Sequence, residues 1–568
     1  MDIANNWVSL AEARSTNDLR VVTIRGEGLS LEEIILVARA GYSVRLTDDD
    51  ACLDSVEASR AFVERAVEAG DAIYGITTLF GGMANIAVPK ESAVALQNTL
   101  PLSHRTGTGP YLSTEDVRAA MLLRANALLR GASGVRMELI RRIVHFLNRK
   151  VTPRIRCHGS IGASGDLVPL AYVTGSICGL AAGFRVDCDG EDTDALTALA
   201  RLGLPRLRLE PKEALALMNG TSVMSGMAAT CTADGLRMLS LAVSVHAILA
   251  QALRASAESF QPFIHQHKPH LGQNWAAAQM LSLLDGSALS RGKAGNARDR
   301  NPGELIQDRY SLRCLPQYLG PVVDGMMTIA GQIEVEANSA TDNPLIDAEN
   351  GVAYHCGNFL GQYIGVGMDQ LRHHLGMLAK HLDVQIALVV TPEFSNGLPA
   401  SLVGNSGSRV NTGLKALQLT ANSLMPRISF FGQSLTDRFP THAEQFNQNV
   451  NSLGLGSAVL TRESLDTCHQ FMAVALIFAT QSADLRTFQQ FRHYDAREAL
   501  SGRTRPLYEA VKRVTGVEAG RDRPYIWDDA DQALDEYIAT LTQEIQRTNG
   551  EIGKAIAPVL SSLFGYYA

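Results

Sequence analysis

Four segments of this chain carry apolar residues at every third or fourth position for much longer than an ordinary globular helix: residues 316–338, 360–390, 453–487 and 528–564. That spacing lines the apolar side chains along one face of a helix. Helices in compact domains average about three to four turns, so segments that approach or exceed about thirty residues belong to a helix bundle or an assembly core. A mainly α fold with a long central helix bundle is therefore expected. Only 19% of the 568 residues are charged while 46% are hydrophobic. Such a low charge implies that much surface is covered, and long helices packed between subunits would cover it.

The flanking regions carry shorter signals of the same kind. Ser30 and Glu33 make a capping box for a helix that Gly41 stops, and Val21–Arg25 before it has strand character. Thr47 is expected to open a helix that runs to about Gly70, and Ser113 another. Val135–Asn148 continues the pattern, with Pro153 as its stop. Two uncharged stretches, Leu167–Phe184 and Ala214–Ala233, reach membrane-span length, but both are punctuated: the first by Pro169 and three glycines, the second by Asn219 and five hydroxyl residues. They are expected to be buried helices and turns, and their polar groups require partners or a task.

A net charge of -7 and the absence of any basic run exclude a polyanion partner, so neither nucleic acid nor an anionic membrane surface is expected. The N-terminal residues show no basic segment followed by an apolar core, which leaves the cytoplasm as the expected location. The eight cysteines contain no C-x-x-C pair and point to buried small side chains rather than disulfides or zinc. His265, His267 and His270 lie close together, yet no carboxylate or cysteine completes a ligand set and Pro262 and Pro269 suggest a loop. No metal is expected there.

Two segments break the helical rhythm. Residues 72–88, AIYGITTLFGGMANIAV, are glycine-rich and aromatic, and residues 286–309 are charged and aperiodic. Structureless stretches of that length in a compact domain are usually lids or binding loops. An inner lid over about 71–90, with Tyr74, and an outer lid over about 286–313, with Tyr310, would close over one pocket.

Between them the chain reads GSIGASGDLVPLAY, residues 159–172. Gly159, Gly162 and Gly165 free the backbone around Ala163 and Ser164, and Asp166 precedes an apolar run in the manner of a helix cap. This segment resembles the prosthetic-group segment of the aromatic amino acid ammonia-lyase and aminomutase family. The resemblance extends, in one order, through YGITTLFGGMAN, LALMNGTSVM, QDRYSLRCLPQ, NSATDNPLID, GNFLGQY, THAEQFNQN and RDRPYIWDDADQALDEYI. It is nearest to bacterial phenylalanine ammonia-lyases of the cyanobacterial type.

The resemblance implies the ammonia-lyase type of helix bundle, related to fumarase and aspartase, assembled as a homotetramer with active sites shared between subunits. It implies a lid-bearing N-terminal region over residues 1–200, a bundle over 201–490 and a C-terminal helical segment over 491–568. It also implies that Ala163, Ser164 and Gly165 cyclise: the Gly165 nitrogen attacks the Ala163 carbonyl, and loss of two waters leaves 4-methylideneimidazol-5-one (MIO). That group would supply the electrophile that expulsion of ammonia needs, since a weakly acidic β-hydrogen and a poor leaving group are badly matched to ordinary side chains. No dissociable cofactor is then required.

By position in the motifs, Tyr74 resembles the base that takes the β-hydrogen, its phenolate favoured by nearby positive potential such as helix N-termini. Tyr310 would complete the site. Arg313 resembles the arginine that grips the substrate carboxylate, for which a planar fork is suited. Asn219 and Asn343 resemble the amides that hold the ring oxygen and the substrate. Leu215 and Phe359 would pack near the ring, and Glu444, Asn447 and Gln448 would line the amine end.

One pair departs from the phenylalanine pattern. In LPLSHRTG, residues 100–107, Ser103 and His104 stand at the selectivity position, where phenylalanine lyases carry Phe-Leu. A histidine there can hydrogen-bond a phenol or an imidazole, and a site built for that bond penalises a substrate lacking it. The expected substrate is an aromatic amino acid, tyrosine first and phenylalanine accepted, giving p-coumarate or cinnamate and ammonia. The alternatives are a histidine ammonia-lyase giving urocanate and a 2,3-aminomutase that returns ammonia to the β-carbon.

Overall fold

A computed structural model describes residues 20–291, 306–438 and 442–567. Strand Val21–Ile24 pairs in parallel with Ser43–Leu46 across the helix Leu31–Arg39. Ser30 and Glu33 form the expected capping box in both directions. The following helix, Asp50–Ala69, begins after Thr47, because the Asp49 carboxylate takes the cap by accepting the Ala51 N–H. Ser113 caps Thr114–Leu128 as expected. The helix Met137–Asn148 ends well before Pro153, which instead closes a short strand, Val151–Pro153.

The long periodic segments fold into the bundle. Leu315–Ala337, Gln362–Val389 and Gly454–Phe491 reproduce three of the four expected helices to within a few residues. The fourth segment divides into Leu534–Gln546 and Glu551–Tyr567. Thr548, Asn549 and Gly550 supply turn chemistry at the break, and the Glu544 carboxylate accepts the Glu551 N–H, capping the second half.

At the middle stands Ser222–Ala252, packed against Gly454–Phe491, Gln362–Val389, Leu315–Ala337 and Thr114–Leu128. All 31 of its residues are buried, and its few charged groups are paired, Asp234 with Arg39 and Arg462. Glu213–Ala252 is long and apolar enough to cross a membrane, and all of it lies inside the fold. One large apolar core draws residues from Val22 to Leu563, and a small second cluster gathers Val63, Ala66, Ile73, Ile76 and Ile346.

Both uncharged stretches are buried, and each has a break that matters. The first forms the helix Leu167–Cys178, closed by Gly179. The second forms the helix Glu213–Met218 and then, after Asn219–Thr221, the start of the central helix. That interruption places the backbone of Gly220 directly against the tripeptide Ala163–Gly165.

Candidate active site

The tripeptide is a turn pressed between two helix starts. Gly165 has φ +65°, and a Cβ there would overlap the carbonyl of Gly220, so no other residue fits. The Asp166 N–H donates to the Gly220 carbonyl at 2.8 Å. Asn219 Nδ2 donates to the Ser164 carbonyl at 2.9 Å, and Gln448 Nε2 donates to the Ser164 hydroxyl at 2.9 Å. The Ser160 hydroxyl lies 3.0 Å from the Asp166 carboxyl and 3.2 Å from the Gly165 carbonyl.

Asp166 stands at the head of Leu167–Cys178 but does not cap it. Its carboxylate instead accepts the Met224 N–H at 2.7 Å, in the first turn of the central helix. Burial pushes this carboxyl up to about 7, against the pull of the Met224 N–H, the Ser160 hydroxyl and the Arg124 guanidinium. Arg124, fully buried, donates to the Thr341 carbonyl at 3.0 Å, and the fully buried pair Lys212 and Asp342 meets at 2.6 Å.

In front of Ser164 lies a cavity of about 260 Å³, walled on one side by the inner loop. Eight of the expected site residues line it: Tyr74, Ser103, His104, Ser164, Leu215, Asn219, Glu444 and Gln448. The remaining wall is largely apolar, with Leu79, Phe80, Met83, Leu96, Leu100 and Leu167. Leu96, Leu100 and Ser103 share one face of the helix Lys90–Ser103, at helical spacing.

His104 ends that helix. Its Nδ1 is 3.0 Å from the Leu100 carbonyl and 3.2 Å from the Ser103 hydroxyl, which itself donates to the same carbonyl at 2.9 Å. A carbonyl can only accept, so this network assigns the proton to Nδ1 and leaves Nε2 as an acceptor.

These motifs have counterparts elsewhere. A family model described as aromatic amino acid lyase matches residues 29–513. The chain belongs to the aromatic amino acid lyase family. It is 56% identical to a phenylalanine ammonia-lyase from Nostoc punctiforme, over 96% of this chain and 95% of that one. It is 48% identical to an aromatic ammonia-lyase from Loktanella atrilutea, over 95% and 99% of the two chains. A solved tyrosine aminomutase from Streptomyces globisporus superposes with a TM-score of 0.85 at 31% identity, covering 94% of this chain and 98% of that one. The enzyme is thus a carbon–nitrogen lyase with the mainly helical fold of the ammonia-lyases.

The geometry of this family member fits the MIO group. Ser164 projects toward the cavity, the Asn219 amide donates to its carbonyl, and the Asn219 carbonyl oxygen is buried with no partner among the described residues. The glycine that would supply the ring nitrogen already lies in the conformation that only glycine tolerates, against Gly220.

The lyase site also contains features that motif spacing does not reveal. Gln97, fully buried, donates to the Gly75 carbonyl at 3.0 Å and accepts the N–H groups of Ala214 and Leu215, tying the inner loop to the Leu215 helix. A single amide in LQNTL gives no signal of that role. Glu444, Gln445 and Phe446 all have positive φ, at 54°, 53° and 64°, a left-handed turn that brings the Glu444 carboxylate against Gly81. Non-glycine residues so held cost roughly 1–3 kcal/mol each and persist only where surrounding contacts impose them.

Among the described residues, the one group that favours the Tyr74 phenolate is the Gly81 N–H, at the start of the short helix Gly81–Met83. The Tyr74 hydroxyl accepts the Gly81 N–H at 3.0 Å, but burial raises the phenol above its ordinary value, and the nearby Glu444 carboxylate adds to the rise. The cation expected for substrate binding is elsewhere. Arg313 and Tyr310 belong to a short helical turn, Tyr310–Arg313, whose Ser311 carbonyl is held by His381 and Gln385. The helix bearing those two begins at Gln362, beside Thr221 and Met224 near the tripeptide. At 1.5 Å per residue, His381 is about 28 Å along it.

Other expected residues lie beside the cavity without lining it. Asn343 accepts the Cys356 N–H at 2.7 Å through its side chain, Phe359 is half-buried just before Gln362, and Asn447 is exposed just after the left-handed turn. His265 lies in a short helix opened by Pro262 rather than in a loop. Its two ring nitrogens are engaged by the Ser259 carbonyl and Gln273. Residues 292–305 of the expected outer lid lie outside the described residues.

Proposed function

We propose that this enzyme removes ammonia from an aromatic L-amino acid, with tyrosine preferred and phenylalanine accepted, releasing p-coumarate or cinnamate. The observation that carries the substrate preference is His104, on a mostly apolar cavity wall, with Nδ1 engaged by Leu100 and Nε2 left to accept a phenolic hydroxyl. The relative named phenylalanine ammonia-lyase supports acceptance of the unsubstituted ring.

Ala163, Ser164 and Gly165 would form the MIO group, which supplies the electrophile that activates the substrate. Asn219 donates to the Ser164 oxygen and draws electron density from that end. Tyr74 takes the β-proton, while Gln448 and Glu444 face the amine side of the cavity. Leu215 and Leu167 exclude water around the aromatic ring.

Arg313 and Tyr310 would act from a neighbouring copy, because their own chain holds them at the far end of a helix about 28 Å long to that point. Exposed apolar side chains on the bundle, including Val335, Tyr363, Val384, Leu419 and Phe430, support a homotetramer that covers them. The Arg313 of another copy would then bind the substrate carboxylate and add to the positive potential at Tyr74.

Mass spectrometry of the peptide spanning Ala163–Gly165 tests the chemistry: it should be lighter by two water molecules, and an unmodified peptide refutes the reading. Separate incubation with tyrosine, phenylalanine and histidine, followed by ultraviolet absorbance, tests the substrate. The highest kcat/KM is expected for tyrosine. Dominant urocanate would make the enzyme a histidine lyase, and a β-amino acid product would make it an aminomutase.

A further inference from the structure

The turn Tyr310–Arg313 is four residues long; it joins the helix Leu315–Ala337 through Cys314 and buries Leu312, but so short a turn does not by itself fix its orientation. Tyr310 is nevertheless 72% exposed. What steadies it is a chain of polar contacts in the bundle behind it. The Ser311 carbonyl receives two donors, His381 Nε2–H at 2.8 Å and Gln385 Nε2–H at 2.7 Å. The Gln385 side-chain carbonyl accepts in turn from His246 Nδ1–H, on the central helix, at 2.8 Å.

This arrangement leaves no freedom of sign. Both lone pairs of the Ser311 carbonyl are used, the Gln385 amide is fixed by having a donor on one side and an acceptor on the other, and each histidine is fixed in one tautomer. The rings of His246 and His381 lie 4.5 Å apart, and the Tyr318 ring packs 4.7 Å from His381 on another side. His381 Nδ1 and His246 Nε2 are buried with no partner among the described residues. An isolated buried acceptor costs about 1–3 kcal/mol, so apolar side chains would be more stable there unless the donors matter. Burial pushes His381 down to about 4 despite the Ser311 carbonyl, and holds His246 well below its ordinary value, so both rings stay neutral and both donors stay in place.

A second anchor lies just before the turn. The Asp308 carboxylate accepts the Ser256 N–H at 2.7 Å and pairs with Arg291, while the Arg309 guanidinium lies 4.7 Å from the centre of the Phe394 ring. Between the anchors Arg313 packs over the Tyr310 ring at 4.5 Å. Exposed Tyr310 and half-buried Arg313 are thus presented as a unit.

We infer that His381, Gln385 and His246 are positioning residues for the reaction: they hold the Tyr310–Arg313 turn, through the Ser311 carbonyl, in the orientation it needs in a neighbouring copy's site. The inference rests on the proposed roles of Arg313 and Tyr310. Three variants of the full-length enzyme test it, H381F, H381Q and Q385M, beside R313A as the reference.

H381F keeps a buried ring and removes the donor; H381Q restores a donor at a similar reach. H381F and Q385M should each raise KM for the amino acid about fivefold to tenfold, the effect of losing one hydrogen bond in a positioned pair, with an unchanged MIO mass signature and oligomeric state. H381Q should stay within about twofold of the parent. In the R313A background, H381F should add less than about twofold to KM, because its effect on carboxylate binding acts through Arg313, and any effect through Tyr310 should appear in kcat.

Parent-like kinetics in folded H381F and Q385M would overturn the inference, as would additive effects with R313A. If H381F does not fold, Q385M alone and in the R313A background decides by the same criteria. If R313A itself leaves KM and kcat unchanged, the reading of the site fails and this inference fails with it. R313A impaired with H381F and Q385M intact would overturn the inference alone.

Discussion

The Ala163–Gly165 tripeptide and the Tyr310–Arg313 turn lie toward opposite ends of the helix Gln362–Val389, and they are held by different means. Backbone encloses the tripeptide: Gly165 against Gly220, the Asp166 N–H on a carbonyl, and an amide from Asn219 on the Ser164 oxygen. The turn exposes Tyr310, keeps Leu312 buried and Arg313 half-buried, and is steered from behind by side chains. On the proposed reading, a group built by cyclisation needs its atoms compressed and shielded, whereas a group that serves another copy must project. The difference teaches that one chain keeps the Ser164 cavity and the Arg313 turn apart, as the proposed sharing of sites between copies requires.

The strongest way to break that comparison is to separate the halves. S164A should abolish MIO formation and lower kcat by at least about a thousandfold, and R313A should lower kcat/KM by about two to three orders of magnitude, the range for losing a charged contact in the transition state. Each homomer is then nearly inactive. Mixed assemblies, co-expressed with two tags and isolated through both, should recover about a quarter of the parent activity, since one site in four combines an intact tripeptide with an intact Arg313 from another chain. No recovery would place both halves in one chain's site.

A smaller effect separates the wall of the cavity from its floor. H104L replaces the Nε2 acceptor with an aliphatic group of similar size, in a wall already lined by Leu96 and Leu100. The kcat/KM for tyrosine should fall about a hundredfold, because the phenolic hydroxyl loses its partner on entering an apolar pocket, while that for phenylalanine should hold or rise. Steady-state kinetics with the two substrates checks this. Equal losses on both would mean that His104 does not meet the ring.

The two regions were unequally legible in the sequence. Three of the four long helices follow from apolar periodicity alone, because a bundle face demands it at every turn, while the division at Arg547–Gly550 needed a side-chain cap from Glu544 that periodicity does not contain. The resemblance of GSIGASGDLVPLAY and its companion motifs pointed to eight residues that the fold gathers into one cavity. Asp166 looked like the cap of its own helix, and only the fold shows that it caps another. Gln97, His246, His381 and Gln385 gave no signal, since single polar residues in apolar helices have the same appearance whether they satisfy a carbonyl or steer a site. The displacement of Arg313 from Ser164 was equally invisible in motif order.

The finest distinction concerns charge around Tyr74. Within one chain the phenol is raised, first by burial and then by the Glu444 carboxylate, with only the Gly81 N–H opposing. If phenolate is the form that takes the β-proton, kcat/KM rises with pH as Tyr74 ionises, and whatever disfavours phenolate moves that rise to higher pH. E444Q removes a negative charge beside the phenol while keeping the side chain's shape against Gly81. The rising limb should therefore move to lower pH, by less than burial contributes, because Glu444 is the lesser cause. R313A should move it the opposite way, since its cation favours phenolate from the neighbouring copy. Measuring kcat/KM against pH for the parent and both variants separates the two contributions. A limb that stays in place in both would remove Tyr74 from the role of base, and a limb that moves only in R313A would show that the charge steering this phenol comes wholly from the neighbouring copy.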